Sequence, residues 1–178
     1  MLENTTMIVN ILVRILPMCL YGATLISGML MDNSQAFILL FGHLINDILS
    51  FGYRSILKSQ STPQCAFIKI GNVYYNLPSS HVQIISYYTM FFLLDMYNKD
   101  EYDMTKVLFL LALLGVTIWS RVNIGCESLM DVTFGLGIGS TVAVLYYMFI
   151  KDYYMTTPAS TTEHTNNALD SVFSYFNY

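Results

Sequence analysis

The sequence is short of charge. Asp, Glu, Lys and Arg make up only 11% of its 178 residues, whereas a soluble domain usually carries about 25%. Lys and Arg number 8 against 12 Asp and Glu, so the net charge is −4, and this shortage of basic residues argues against nucleic acid as a partner. The three cysteines are too few for a disulfide scaffold and lack the spacing of a zinc site.

Apolar residues are abundant instead. They account for 54% of the chain, and the mean hydropathy is +0.50, which together indicate an integral membrane protein. The first apolar stretch is too long for the core of a signal peptide and has no basic leader. Five stretches reach or approach the roughly 20 apolar residues that a membrane-spanning helix needs: residues 7–31, 35–52, 82–97, 105–119 and 129–150. The predicted fold is therefore an all-α integral membrane bundle of about five transmembrane helices.

The chain is predicted to divide into two parts. Residues 1–153 form the transmembrane domain, and residues 154–178 form a polar C-terminal tail that is expected to be disordered. Inside the domain the longest connection, residues 53–81, is rich in Ser, Gln, Asn and Pro. With five spans, this connection and the loop at residues 121–128 lie on the same side of the membrane. The unusual polar residues of the chain therefore share one side.

The first group of polar residues on that side is "PSSH", residues 78–81, directly before the third helix. Ser79 and Ser80 can cap this helix and donate to an anion, and the helix start adds free backbone N–H groups. His81 can titrate near neutral pH and so can act as a general acid. In isolation this motif is more often a helix cap with an interfacial histidine than a binding site.

A second group lies at the end of the fourth helix. Arg121, in "SRV", can hold two oxygens of a phosphate with its planar guanidinium, and Lys58 in the longer loop adds another positive charge. The plainer interpretation is that Arg121 snorkels to the membrane surface and that Lys58 merely flanks a helix. The order of the motifs and their shared side favour one phosphate-binding site over these separate roles.

Together these motifs resemble the lipid phosphate phosphatase superfamily, also called the type 2 phosphatidic acid phosphatase family. Its pattern is Lys followed after six residues by Arg-Pro, then Pro-Ser-Gly/Ser-His, then Ser-Arg, five residues, His, three residues and Asp. Within it the chain is most similar to the dolichyl-diphosphatase branch, through "NDILSFGYRSILK", "PSSHVQ" and "SRV". The resemblance covers about residues 46–149. It implies a helical membrane bundle that binds a lipid phosphate or polyprenyl diphosphate at one membrane face.

The resemblance also implies a role for each motif residue. His81 would protonate the leaving group, Arg121 and Lys58 would hold the phosphoryl oxygens, and Asp131 would orient a nucleophilic histidine. No cofactor is expected. A divalent metal held by His81, Asp131 and Glu127 has suitable ligand types but no supporting spacing, so no metal site is predicted.

Two positions depart from the family pattern. Glu127 stands where the family has its nucleophilic histidine, and Cys65 stands where it has an arginine. His43 in the second helix and His164 in the tail are not placed to substitute for the nucleophile. Two cations and one histidine would therefore face the two carboxylates of Glu127 and Asp131.

These departures leave three hypotheses open. The first is a catalytically impaired member of the family that keeps a lipid-phosphate pocket and binds a lipid or a protein partner in the membrane. The second is an active lipid phosphatase with altered chemistry, in which Glu127 attacks phosphorus and forms an acyl phosphate. The third is a plain membrane structural protein in which the motif matches are coincidental.

The remaining expectations concern the cellular location of the protein and residues inside the predicted spans. The resemblance favours the endoplasmic reticulum with the site facing the lumen, where oxidising conditions would allow Cys65 and Cys126 to pair. Arg14 and Asp47 lie inside predicted spans, where ionisable groups are functional candidates, although the two could simply pair with each other. Small residues at 135–141, "GLGIGST", predict a close contact between helices.

Overall fold

Five helices make up most of the molecule. The computed structural model describes residues 2–30, 33–57, 69–70, 73–74 and 79–156. The helices are α1 (Leu2–Leu30), α2 (Ser34–Leu57), α3 (Ser80–Asn98), α4 (Met104–Asn123) and α5 (Leu129–Thr156). Two short antiparallel strands, β1 (Lys69–Ile70) and β2 (Val73–Tyr74), lie between α2 and α3. The predicted all-α membrane bundle is confirmed; α5 runs three residues past the predicted end of the domain, and the rest of the tail lies outside the described residues.

The helices differ in how apolar they are. Within the described residues, α1, α2, α4 and α5 are long and apolar enough to cross a membrane. The helix α3 is not among these four, because polar side chains such as Gln83 interrupt its apolar run. Even so, α3 lies beside α5 at both ends: the Ser79 N–H donates to the Asp131 carbonyl at 3.2 Å, and the Lys99 ammonium lies 5.1 Å from the centre of the Tyr154 ring. Neighbouring helices therefore shield α3 along its length.

Glycines on α5 allow this close contact. A Cβ added at Gly139 would lie 2.1 Å from the Gln83 carbonyl oxygen, and one added at Gly135 would lie 2.7 Å from the Ser79 carbonyl oxygen. Both distances are shorter than a side chain permits, so only glycine lets the two backbones come so near. The contact predicted from the small residues of α5 is thus the contact with α3.

Polar side chains join α1, α2 and α3 inside the bundle. The His43 Nδ1 atom lies 2.8 Å from the Tyr88 hydroxyl, and the His43 ring stacks on Tyr21 with the ring centres 3.8 Å apart. The Tyr21 hydroxyl donates to the Asp47 carboxylate. Arg14 is exposed and forms no ion pair with Asp47 in the described part of the chain, so the suggested pairing is wrong. Tyr21 is the residue of α1 that contacts Asp47. Arg14 lies two helical turns, about 10 Å, away from Tyr21 along α1.

Aromatic residues fill the core away from the start of α3. Phe91 is fully buried and makes edge-to-face contacts with Tyr147 and Tyr154, with ring centres 5.2 and 5.4 Å apart. Such contacts add about 0.5–1.5 kcal/mol beyond the area that they bury. This half of the bundle therefore has an ordinary apolar core, and the buried charged residues lie in the other half.

The turn between α3 and α4 lies at the aromatic end of the bundle. The Asp103 carboxylate caps α4 by accepting from the Thr105 N–H at 2.9 Å. This backbone hydrogen bond is the main reason why the pKa of Asp103 lies below its ordinary value of 3.8. The turn is short, so α3 and α4 are antiparallel, and the end of α4 returns to the start of α3.

Candidate functional site

Three helix termini meet at the end of the bundle where α3 begins. The hydrogen bond from the Ser79 N–H to the Asp131 carbonyl joins the starts of α3 and α5. The five-residue link 124–128 then connects the end of α4 to the start of α5. His81 in the first turn of α3 and Arg121 in the last turn of α4 consequently lie at the same end as Glu127 and Asp131. All four side chains are buried.

The closest charged contact at this end joins Arg121 to Glu127. The Arg121 Nε and Nη2 atoms donate to the same oxygen, Glu127 Oε1, at 3.2 and 3.1 Å. The two side chains are only 6% and 3% exposed. Glu127, which the resemblance aligns with the family's nucleophile, is therefore the ion-pair partner of the arginine that the resemblance assigns to phosphate binding.

The link between α4 and α5 brings Glu127 back towards Arg121. Helix α4 ends with the Ile124 N–H donating to the Ser120 carbonyl, and Gly125 follows with φ +70°. A residue in this left-handed region is usually glycine, which reverses the chain at helix ends without a steric penalty. Glu127, six residues after Arg121, can therefore fold back onto it.

Asp131 begins α5 through a reciprocal cap. Its Oδ2 atom accepts from the Ser128 N–H at 2.6 Å, and its own N–H donates to Ser128 Oγ at 3.2 Å. This is the capping box that a Ser and an acidic residue three positions later can form. The spacing was visible in the sequence, although it was not used to predict a cap. Asp131 thus stabilises the start of α5.

The PSSH residues place a helix N-terminus beside these charges. Ser79 is fully buried and caps α3, because its Oγ atom accepts from the Val82 N–H at 3.3 Å. Ser80 is half-buried, and His81 is buried next to it. The predicted cap is confirmed for Ser79. A helix N-terminus with unused backbone N–H groups attracts anions.

A side chain of helix α1 contacts α4 at this end, and this contact was not predicted from the sequence. The Ser120 hydroxyl donates to Asn10 Oδ1 at 2.7 Å. Because the two residues are 110 positions apart, no local pattern could have indicated this contact. Ser120 precedes Arg121, so α1 helps to fix the end of α4 on which the arginine stands.

Lys58 and Cys65 lie outside the described residues. Cys126, next to Glu127, is disulfide-bonded, whereas Cys19 on α1 is a free, exposed thiol. In the described residues no cluster of three or more His, Cys, Asp or Glu side chains could hold a metal ion.

A cavity of about 580 Å³ lies at the opposite end, between α3 and α4. It is lined by apolar residues and by a few charged ones, among them Lys99 and Lys106. These lysines already pair with Asp95 at 3.0 Å and with Asp103 at 3.7 Å. Both lysines are paired and neither is buried, so this cavity is a weaker candidate for the functional site than the end that holds the buried charges.

Comparison with known proteins agrees with the arrangement of helices and motifs. No curated protein and no solved structure matches the chain. A family model described as the PAP2 superfamily matches residues 35–154, more than half of the chain, from the start of α2 to near the end of α5. Both the PSSH and the SRV motifs lie within the match, and α1 lies outside it. The chain therefore belongs to the PAP2 superfamily, that of the type 2 phosphatidic acid phosphatases.

Proposed function

We propose that this chain is a lipid-phosphatase-like membrane protein that keeps a pocket for a lipid phosphate or diphosphate but has little or no hydrolase activity. The observation that carries this proposal is the buried contact between Arg121 and Glu127. In the family pattern, the first position grips phosphate and the second supplies the nucleophile. Here the two side chains bind each other.

The surroundings of Arg121 support phosphate binding. The N-terminus of α3 lies at the same end, with Ser79 and Ser80 in its cap region. Backbone N–H groups and the helix dipole favour an anion there. His81 lies at the same end, in the first turn of α3, and Lys58 is proposed to add a second cation. The family membership supports a lipid as the bearer of the phosphate.

The acidic residue argues against efficient hydrolysis. A carboxylate that accepts two hydrogen bonds from a guanidinium is held by charge, which lowers its tendency to attack phosphorus. It also repels an incoming phosphate. Removing a nucleophile typically lowers kcat by several orders of magnitude, because charge stabilisation and binding recover only part of the rate.

One observation favours the active alternative. The second oxygen of Glu127, Oε2, is buried and accepts no hydrogen bond in the described part of the chain. That oxygen could attack phosphorus and form an acyl phosphate. The proposal of a polyprenyl diphosphate such as dolichyl diphosphate as ligand, and of a lumenal site in the endoplasmic reticulum, rests on the motif resemblance alone.

A phosphate-release assay on the purified full chain tests the proposal. Substrates would include phosphatidic acid and several polyprenyl phosphates and diphosphates. We expect little release by the unmodified chain and more by Glu127→His, which restores the family nucleophile. Adding Cys65→Arg should raise release more than additively, because both residues act on one phosphoryl group; Glu127→His with Cys65→Ser is the control for loss of the expected disulfide.

The same assay can contradict the proposal. Rapid turnover by the unmodified chain that disappears in His81→Ala would show an active enzyme and would favour Glu127 as nucleophile. Glu127→Gln would then abolish turnover as well. A matched control is Glu101→Gln, which removes the same charge from an exposed residue at the opposite end.

A further inference from the structure

The contact between Arg121 and Glu127 is incomplete as an ion pair. An arginine and a carboxylate usually form two parallel hydrogen bonds, one to each oxygen. Here Glu127 Oε1 accepts both, from Nε and Nη2, and Oε2 is left buried without a donor in the described part of the chain. A buried charged atom without a partner is unfavourable. Arg121 could therefore bind a better-fitting anion more tightly than it binds the Glu127 carboxylate.

Glu127 lies on the connection between two helices. It belongs to the link 124–128, after the turn at Gly125, and not to α4 or α5. Arg121, by contrast, is fixed in the last turn of α4. Displacement of the Glu127 carboxylate requires a change in the link and leaves the helices and the cap of Asp131 in place.

A phosphate group would satisfy the donors that Glu127 leaves unused. Arginine has five N–H donors, and the Glu127 carboxylate takes only two of them. A phosphate monoester offers three terminal oxygens, so that it could accept from both sides of the guanidinium and from the N-terminus of α3 as well. It also carries more negative charge than a carboxylate at neutral pH.

We propose that Glu127 acts as an internal competitor for the phosphate site, so that a lipid phosphate binds Arg121 only by displacing the Glu127 carboxylate. This inference rests on the proposed function, since it concerns the same pocket. The consequence is a site that is closed to weakly binding anions. Removal of the Glu127 charge opens the site and raises the affinity for phosphate.

Binding measurements on the purified full chain test this competition. The probe is dioctanoyl phosphatidic acid, with dioctanoyl glycerol as the same lipid without phosphate and inorganic phosphate as the free anion. We expect Glu127→Gln to bind dioctanoyl phosphatidic acid at least about tenfold more tightly than the unmodified chain. A tenfold gain corresponds to about 1.4 kcal/mol.

Two further variants make the result specific. Glu101→Gln removes one negative charge from an exposed residue at the opposite end, and we expect its affinity to equal that of the unmodified chain. Glu127→Gln combined with Arg121→Gln should lose the gain, because the gain depends on the released guanidinium. A gain in Glu101→Gln as large as that in Glu127→Gln would overturn the inference, since net charge alone would then explain it.

The outcomes separate the inference from the proposed function. Equal affinity of the unmodified chain and Glu127→Gln for dioctanoyl phosphatidic acid would overturn the competition and leave the pocket standing. If both are folded and neither prefers dioctanoyl phosphatidic acid to dioctanoyl glycerol, the proposed pocket itself fails. A tenfold gain for inorganic phosphate alone would support the competition and contradict the lipid ligand.

A measurement on the unmodified chain covers the case in which Glu127→Gln does not fold. Hydrogen exchange of the backbone N–H groups of Cys126 and Glu127 should become faster when dioctanoyl phosphatidic acid saturates the protein, because the displaced Glu127 side chain no longer anchors this part of the link. Dioctanoyl glycerol should leave the exchange unchanged. Equal exchange with the two lipids, under conditions where phosphatidic acid binds, would contradict displacement.

Discussion

The two ends of the bundle use charge in opposite ways. At the end where α3 begins, the Arg121 and Glu127 side chains are 6% and 3% exposed. At the other end, Lys106 and Asp103 are 70% and 42% exposed. Exposed pairs contribute about 0–1 kcal/mol, whereas a buried pair brings a desolvation cost that often offsets its attraction. A fold that needed only stability would not place charges as they are placed around Arg121.

This difference shows which end is specialised. The pairs near the α3–α4 turn are local, three or four residues apart, and support a turn. The buried charges at the other end come from α4, from the link before α5 and from the start of α5, and Asn10 of α1 contacts α4 beside Arg121. Charges gathered from several elements and kept from water are typical of a binding site.

The largest effect is expected from Arg121→Met. This change leaves the Glu127 carboxylate buried without its partner, so we expect the free energy of unfolding to fall by about 3–5 kcal/mol. The matched change at the other end, Lys106→Met, should cost about 0–1 kcal/mol. Unfolding by titration with a denaturing detergent in mixed micelles measures both. Similar small losses in the two variants would show that the two ends do not differ as described.

The next effect concerns the disulfide of Cys126. We expect its partner to be Cys65, because Cys19 is a free thiol and the chain has three cysteines. Non-reducing peptide mapping should find Cys65 and Cys126 linked. Cys126→Ser should lower the free energy of unfolding by about 2–4 kcal/mol, whereas Cys19→Ser, at a free and exposed position, should leave it unchanged. Peptides with both thiols free, from protein kept in its native compartment, would rule the pairing out.

A smaller effect is expected where α3 and α5 touch. Gly139→Ala would bring a Cβ to 2.1 Å from the Gln83 carbonyl oxygen, so the helices must move apart at a cost of about 1–3 kcal/mol. Gly137 has nothing within 4 Å of such a Cβ, and Gly137→Ala should be neutral or slightly stabilising. Thermal unfolding in the same micelles gives both values, and equal stability would mean that the close contact does not hold α3 in place.

The smallest effect is expected at Asp103, at the exposed end. The hydrogen bond from the Thr105 N–H keeps the pKa of Asp103 below its ordinary value. A group whose pKa is lowered by folding stabilises the protein above its unfolded pKa, and the contribution disappears as the pH falls through the folded pKa. Asp103→Ala should therefore lower the unfolding temperature slightly at pH 7, and the difference should shrink below about pH 4. A difference that grows on acidification would contradict the cap.

The sequence predicted the helices well, because long apolar runs leave few alternatives in a membrane. It predicted less about their environment. The run at residues 82–97 indicated a span like the others, but burial against α5 depends on Gly135 and Gly139, whose partners lie about 50 positions earlier. The PSSH cap at Ser79 could be predicted because a cap is local.

The candidate site was only partly visible in the sequence. The motifs pointed to His81 and Arg121, and the carboxylates of Glu127 and Asp131 were expected to face the cations. That Glu127 neutralises Arg121 could not be predicted, because the contact depends on how Gly125 turns the chain after α4. Asn10 was missed for the same physical reason: its contact with Ser120 exists only in the folded bundle.

The burial of α3 has a consequence for how the protein is made. A nascent helix enters the bilayer readily only if its side chains tolerate lipid, and α3 carries Gln83, Ser86 and Thr89 at buried positions. During synthesis α3 leaves the ribosome before α5, the helix that packs against the Gln83 backbone and the Ser86 hydroxyl. It must therefore wait beside the insertion machinery, or at the membrane surface, until α5 emerges. The hairpin of α3 and α4 is then completed by α5, and the candidate site forms only when α5 has been inserted.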